Sequence, residues 1–139
     1  MKDPAITDRD QPPSSGHRPK VLVAEDDEDI RSVFEMVLDD LYEIRSASTA
    51  AFALELAAAW KPDVVLLDWT LPDGSGDDVA RRLRAMSSDF KDLPIVLVSG
   101  APTVKTLAAN VGAVPCPKPC DIDQLTAAIE LALAPARGK

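Results

Sequence analysis

The stretch Pro62-Asp63-Val64-Val65-Leu66-Leu67-Asp68 decides the fold. Its consecutive valines and leucines read as a strand buried on both faces, as at the centre of a parallel sheet. The run ends on a carboxylate. In an open α/β sheet, ligands sit outside the carboxyl ends of the strands, so Asp68 is displayed at the mouth of the sheet. For this residue alone, a turn or helix-capping role is the alternative, because Pro72-Asp73-Gly74 and Ser75-Gly76 follow it.

Upstream, Val21-Leu22-Val23-Ala24 is a second short apolar run, and it stops at an unbroken series of acids, Glu25 to Asp29. Ile30, Val33, Phe34, Val37, Leu38 and Leu41 then recur at helical spacing, with Asp27 as the expected N-cap. Tyr42 to Ser46 reads as a weak strand. Thr49 to Trp60, rich in Ala and Leu, reads as a helix ended by Lys61-Pro62. Downstream, Asp77 to Arg84 places acids first and bases last, as a helix dipole prefers. Pro94 to Val98 is another buried strand, ending on Ser99-Gly100. A short helix from Thr103 to Asn110 and a last short strand from Val114 to Cys116 follow. Ile122, Leu125, Ile129 and Leu133 mark a final helix, capped by Asp121 and closed at Ala134-Pro135. Strand and helix alternate five times over, which predicts a doubly wound α/β domain with a parallel sheet and helices on both faces.

The 139 residues are 46% hydrophobic and 27% charged, the composition of one ordinary globular domain. A net charge of −8 argues against a nucleic-acid-binding surface, which would want a basic face. No apolar run approaches the roughly 20 residues that span a bilayer, and no leader pattern opens the chain. The expected compartment is the cytoplasm. Residues 1–19, proline-rich and almost without apolar side chains, are expected to form a mobile tail; 20–134 form the domain and 135–139 a short terminal tail. Cys116 and Cys120 read as two free thiols, with a disulfide across the spacing as the alternative.

Four strand ends carry chemistry: Glu25 and Asp26, Asp68, Ser99, and Lys118 just beyond the last strand. A parallel sheet puts all of them on one edge. Three clustered carboxylates repel one another, and a hard divalent cation together with a lysine ammonium would relieve that repulsion. Mg²⁺ suits such a site, because it takes one or two carboxylates and leaves room for water and phosphate. A hydroxyl and a lysine beside it are what an incoming phosphoryl group requires.

Val21 to Asp27, Val64 to Pro72, Pro94 to Gly100 and Lys118-Pro119, in this order, resemble the receiver domain of two-component response regulators, over about Lys20 to Ala134. The resemblance implies a flavodoxin-like (βα)5 fold with strand order 2-1-3-4-5. It implies Asp68 as phospho-acceptor, with Mg²⁺ bound by Asp26, Asp68 and the Thr70 backbone carbonyl, and by Glu25 through a water. Ser99 and Lys118 would bind the phosphoryl oxygens, Lys118-Pro119 would be cis, and Thr70 and Ala101 would flank the path of hydrolytic water. A sensor histidine kinase or histidine phosphotransfer protein would be the donor, and an unidentified downstream protein the receiver of the signal. The match departs at Pro115, which stands where the family usually carries a switch aromatic, and in a segment from Ser99 to Lys118 that is about two residues short.

Three readings compete. The first is a stand-alone phosphorylatable receiver that turns over no outside substrate and acts by protein contact or phosphorelay. The second is a phosphorylation-independent receiver serving as a protein-binding module. The third is a phosphatase of the haloacid dehalogenase type, against which the order of the acids argues: here the acidic pair comes first, and Thr70 occupies the place of a second Asp. Leu107, Val111, Leu125, Ile129 and Leu133 form either an apolar strip for a homodimer or simply core.

Overall fold

A computed structural model describes residues 18–137, with side chains through Ala134. The expected amino-terminal tail lies almost wholly outside the described residues, as do the last two residues. The sheet has five strands: β1 (Lys20–Ala24), β2 (Glu43–Ala47), β3 (Val64–Asp68), β4 (Ile95–Ser99) and β5 (Val114–Pro117). All neighbours are parallel, in the spatial order β2-β1-β3-β4-β5. That is the doubly wound architecture the alternation predicts.

Period-two alternation sorts each strand's side chains between two cores. Leu22, Val65, Leu67, Ile95 and Leu97 face one layer, formed by α2 (Ala50–Trp60), α3 (Gly76–Ala85) and α4 (Val104–Asn110). Val21, Val23, Leu66, Val96 and Val98 face the other, formed by α1 (Glu28–Leu38) and α5 (Ile122–Arg137). β3 and β4 are buried along their whole length, which is why they read as unbroken apolar runs.

The helix ends follow local chemistry. Asp27 caps α1 by accepting the Ile30 N–H at 3.0 Å, and Thr49 caps α2 by accepting from Phe52 at 3.1 Å. Lys61 ends α2 in the left-handed region, φ 56°, with its N–H on the Ala57 carbonyl. Asp121 and Gln124 cap α5 reciprocally: the Gln124 N–H donates to Asp121 Oδ1 at 2.8 Å and the Asp121 N–H to Gln124 Oε1 at 2.9 Å.

Several expectations need correction. α1 stops at Leu38, so Leu41 lies in the following turn and is exposed, and Val33 faces outward from the helix. α5 continues through Pro135 to Arg137 rather than closing at Ala134. The segment after Asp68, read as loop, contains a small antiparallel ribbon, Thr70–Leu71 against Gly74–Ser75. A 3₁₀ turn, Ser88–Phe90, follows α3, where the sequence pattern gives no element. Of the apolar strip, Val111, Leu125, Ile129 and Leu133 are buried core, whereas Leu107 is only partly buried.

β5 is an edge strand, and this is how it accommodates Pro115 and Pro117. The Lys118 N–H donates inward to the Ser99 carbonyl at 2.8 Å. By alternation, the two prolines place their missing N–H positions on the open side, where no ladder bond is lost.

Gly76 opens α3 against the back of the site. A Cβ there would lie 2.8 Å from Leu97 Cδ1 and 3.0 Å from Trp69 Cα, and the second of these is backbone that cannot swing away. Gly76→Ala is therefore expected to destabilise the fold by about 1–3 kcal/mol in denaturant unfolding, the usual cost of overpacking.

Candidate functional site

β1 delivers Glu25 and Asp26 to the carboxyl edge, where Asp27 turns the chain into α1. This turn aims the Asp27 N–H at Glu25 Oε2, 3.1 Å away, and Arg31 reaches back to donate to the Glu25 carbonyl at 3.0 Å. Glu25 is buried and Asp26 exposed. β3 delivers Asp68, also buried, and the Trp69 N–H is fixed on the Val98 carbonyl at 2.9 Å. β4 delivers buried Ser99, whose hydroxyl oxygen accepts the Ala101 N–H at 3.0 Å, leaving its own proton to donate elsewhere. β5 delivers Lys118, beside a cis Lys118–Pro119 bond.

Four of these side chains meet. The carboxylates of Glu25, Asp26 and Asp68 each offer an oxygen within 4.8 Å of the others. Lys118 Nζ stands 2.8 Å from Asp68 Oδ1 and 3.8 Å from Glu25 Oε1. Ser99 is joined to this group through the backbone of Lys118. Thr70 is exposed, and its N–H bonds the Asp68 carboxylate.

The electrostatics are unbalanced. Burial pushes the Asp68 carboxyl above its ordinary value; the Lys118 hydrogen bond and charge pull it back, and the charge of Asp26 pushes it up again. Burial likewise raises Glu25, opposed by the Asp27 N–H and reinforced by the charge of Asp68. Burial alone would lower Lys118, but the bond to Asp68 and the charges of Asp68 and Glu25 outweigh it and raise it. Glu25 Oε1 is buried with no hydrogen-bond partner. One ammonium does not balance three carboxylates, and an all-oxygen donor set with an orphaned buried oxygen fits a hard divalent cation.

Sequence reasoning missed one residue that shapes the site. Asp73, in the turn of the ribbon beyond Asp68, accepts the N–H groups of Ala50 and Ala51 at 2.6 and 3.0 Å. It thereby ties the loop after the Asp68 strand to the first turn of α2. The partners are more than twenty positions apart in the chain, so only a Pro-Asp-Gly turn signal was visible.

The chain matches the family described as response regulator receiver domain over residues 21–130. It is 32% identical over 117 residues to the DNA-binding transcriptional regulator NtrC of Azospirillum brasilense, covering 81% of this chain and 24% of that protein. It is 34% identical over 117 residues to the KDP operon transcriptional regulatory protein KdpE of Escherichia coli, covering 81% and 50%. A sensor histidine kinase, TmoS of Ectopseudomonas mendocina, is 32% identical over 94 residues, which is 68% of this chain and 10% of that one. This chain thus spans from a tenth to half of the length of these relatives. Among solved structures, the chemotaxis response regulator CheY4 of Vibrio cholerae superposes with a TM-score of 0.76 at 28% identity, covering 84% of this chain and 99% of that one. The chain belongs to the response regulator receiver family, a class of signalling modules of two-component systems. Among the described residues, no helix is long and apolar enough to cross a membrane.

The two backbone hydrogen bonds hold the Asp73 carboxyl below its ordinary value of 3.8. Its contribution is therefore fully present above that value and is lost as pH falls through the lower folded value. Asp73→Ala is expected to lower the melting temperature at neutral pH, and thermal scans of both proteins across acid pH should show the gap closing below pH 3.8.

Proposed function

We propose that Asp68 accepts a phosphoryl group from a phosphohistidine of a sensor histidine kinase or histidine phosphotransfer protein, with Mg²⁺ as cofactor. The observation that carries this reading is the meeting of Glu25, Asp26 and Asp68 with Lys118 at one sheet edge, with an orphaned carboxylate oxygen among them. Asp26, Asp68 and the Thr70 carbonyl would hold the ion, with Glu25 acting through a water. When bound, it would supply positive charge to the phosphoryl oxygens.

A carboxylate oxygen of Asp68 attacks phosphorus in line, the P–N bond breaks, and the imidazole nitrogen keeps the electron pair. Lys118 exchanges its contact with Asp68 for the phosphoryl oxygens, and the Ser99 hydroxyl donates to them. No step needs a general base, because the nucleophile is already an anion. The family match, and the presence of sensor histidine kinases among the relatives, support a kinase as donor. Output through an unidentified downstream protein, or onward relay, follows from the same reading, as does a cytoplasmic site of action.

Incubation with Mg²⁺ and acetyl phosphate, followed by intact-protein mass measurement, tests the proposal. The wild type is expected to gain one phosphoryl group, Asp68→Ala to gain none, and removal of the metal to abolish the gain. No gain in wild type would favour a phosphorylation-independent binding module.

A further inference from the structure

The proposed phosphoryl chemistry leaves the thiols of Cys116 and Cys120 unused. Cys116 lies in β5, paired with Val98, and is buried in the core shared with α1 and α5. Cys120 packs partly buried against the same core. It lines an open cavity of about 570 Å³ between Ile30, Val33 and Phe34 of α1 and the Lys118-Pro119 segment. Both thiols are free. An outside reagent therefore meets Cys120 before the buried Cys116.

The two side chains share one core cluster, four positions apart in the chain. The Cys116 thiol, hydrogen-bonded to the Cys120 sulfur, holds the Cys120 thiol down at about 7 against the effect of burial, with the Lys118 ammonium assisting and Asp121 opposing. The same contact, together with burial, pushes Cys116 far up, so it stays a protonated thiol. This is the division of labour of an attacking thiolate and a resolving thiol.

We propose that Cys120 is an oxidative modification site, oxidised by a neutral hydroperoxide in this cavity and resolved by Cys116 as a disulfide. The Cys120 thiolate attacks one peroxide oxygen, the O–O bond breaks, and the departing oxygen takes a proton, which reduces the peroxide to an alcohol or water. The resulting sulfenic acid is attacked by the Cys116 sulfur. That thiol loses its proton, the S–O bond breaks, water leaves, and the S–S bond forms. Asp29 lines the cavity and Asp121 follows Cys120, so a neutral oxidant is favoured over an anionic one such as glutathione disulfide. Lys118 lies inside the ring that the disulfide closes, which couples thiol oxidation to the phosphorylation site. This coupling rests on the proposed role of Asp68.

The test treats the reduced full chain with hydrogen peroxide, blocks the remaining thiols by alkylation and maps the peptides by mass. The wild type is expected to lose both alkylation sites to a Cys116–Cys120 bond that dithiothreitol reverses. Cys116→Ala should stop at a dimedone-trappable sulfenic acid on Cys120, and Cys120→Ser should leave Cys116 unmodified. Without oxidant at pH 7, Cys120 should alkylate at least ~10-fold faster than Cys116. Two free thiols after peroxide, or oxidation of Cys116 in Cys120→Ser, would overturn the proposal. Acetyl phosphate labelling should be several-fold slower in the disulfide form than in the reduced one, and equal rates would overturn the coupling. If the reduced protein is not labelled at all, the role of Asp68 fails while the thiol mapping still decides the modification.

Discussion

One ammonium, that of Lys118, faces two buried carboxylates, 2.8 Å from Asp68 and 3.8 Å from Glu25, with Asp26 close by. Carboxylates removed from water are costly unless paired, and here the pairing is incomplete. The unmet part of that demand is what the proposed function draws on: it is the reason a cation is assigned to this edge and Lys118 to an incoming phosphoryl group.

The sheet exists, in this sense, to hold that imbalance in place. β3 and β4 are buried from end to end, so the backbone beneath Asp68 and Ser99 has little room to relax. Lys118 is registered to the same edge by its own N–H on Ser99 and by prolines that cost an edge strand nothing. Asp73 and Gly76 secure the loop that leaves Asp68, one by bonding α2 and the other by letting α3 approach Trp69 and Leu97. The same Lys118 segment brings Cys120 to a cavity beside α1, within reach of the Lys118 charge.

Much of this was legible in the chain because burial on both faces leaves unbroken apolar runs, and each run here ends on a polar group. Asp27 and Asp121 were legible as caps because capping is local. Leu41 was misassigned because helical spacing alone does not mark where a helix stops, and the chain turns after Leu38. The ribbon after Asp68 and the tether of Asp73 to α2 depend on contacts that spacing does not encode. The two cysteines look like ordinary thiols in the chain, since their packing against one core depends on how the Lys118 segment folds. Val111, Leu125, Ile129 and Leu133 show the opposite limit: an apolar stripe is the same in sequence whether it faces core or solvent, and here it faces core.

The most direct test of the electrostatic account is thermal unfolding at neutral pH, titrated with Mg²⁺ at constant ionic strength. A cation held by the folded edge alone stabilises it by mass action, about 2.7 kcal/mol at a hundred times its dissociation constant. The account predicts a melting temperature that climbs with Mg²⁺ in the wild type and stays flat in Asp26→Asn. A wild-type melting temperature indifferent to the ion would contradict it, because the carboxylates of Glu25, Asp26 and Asp68 would then be satisfied without the cation the proposal assigns to them.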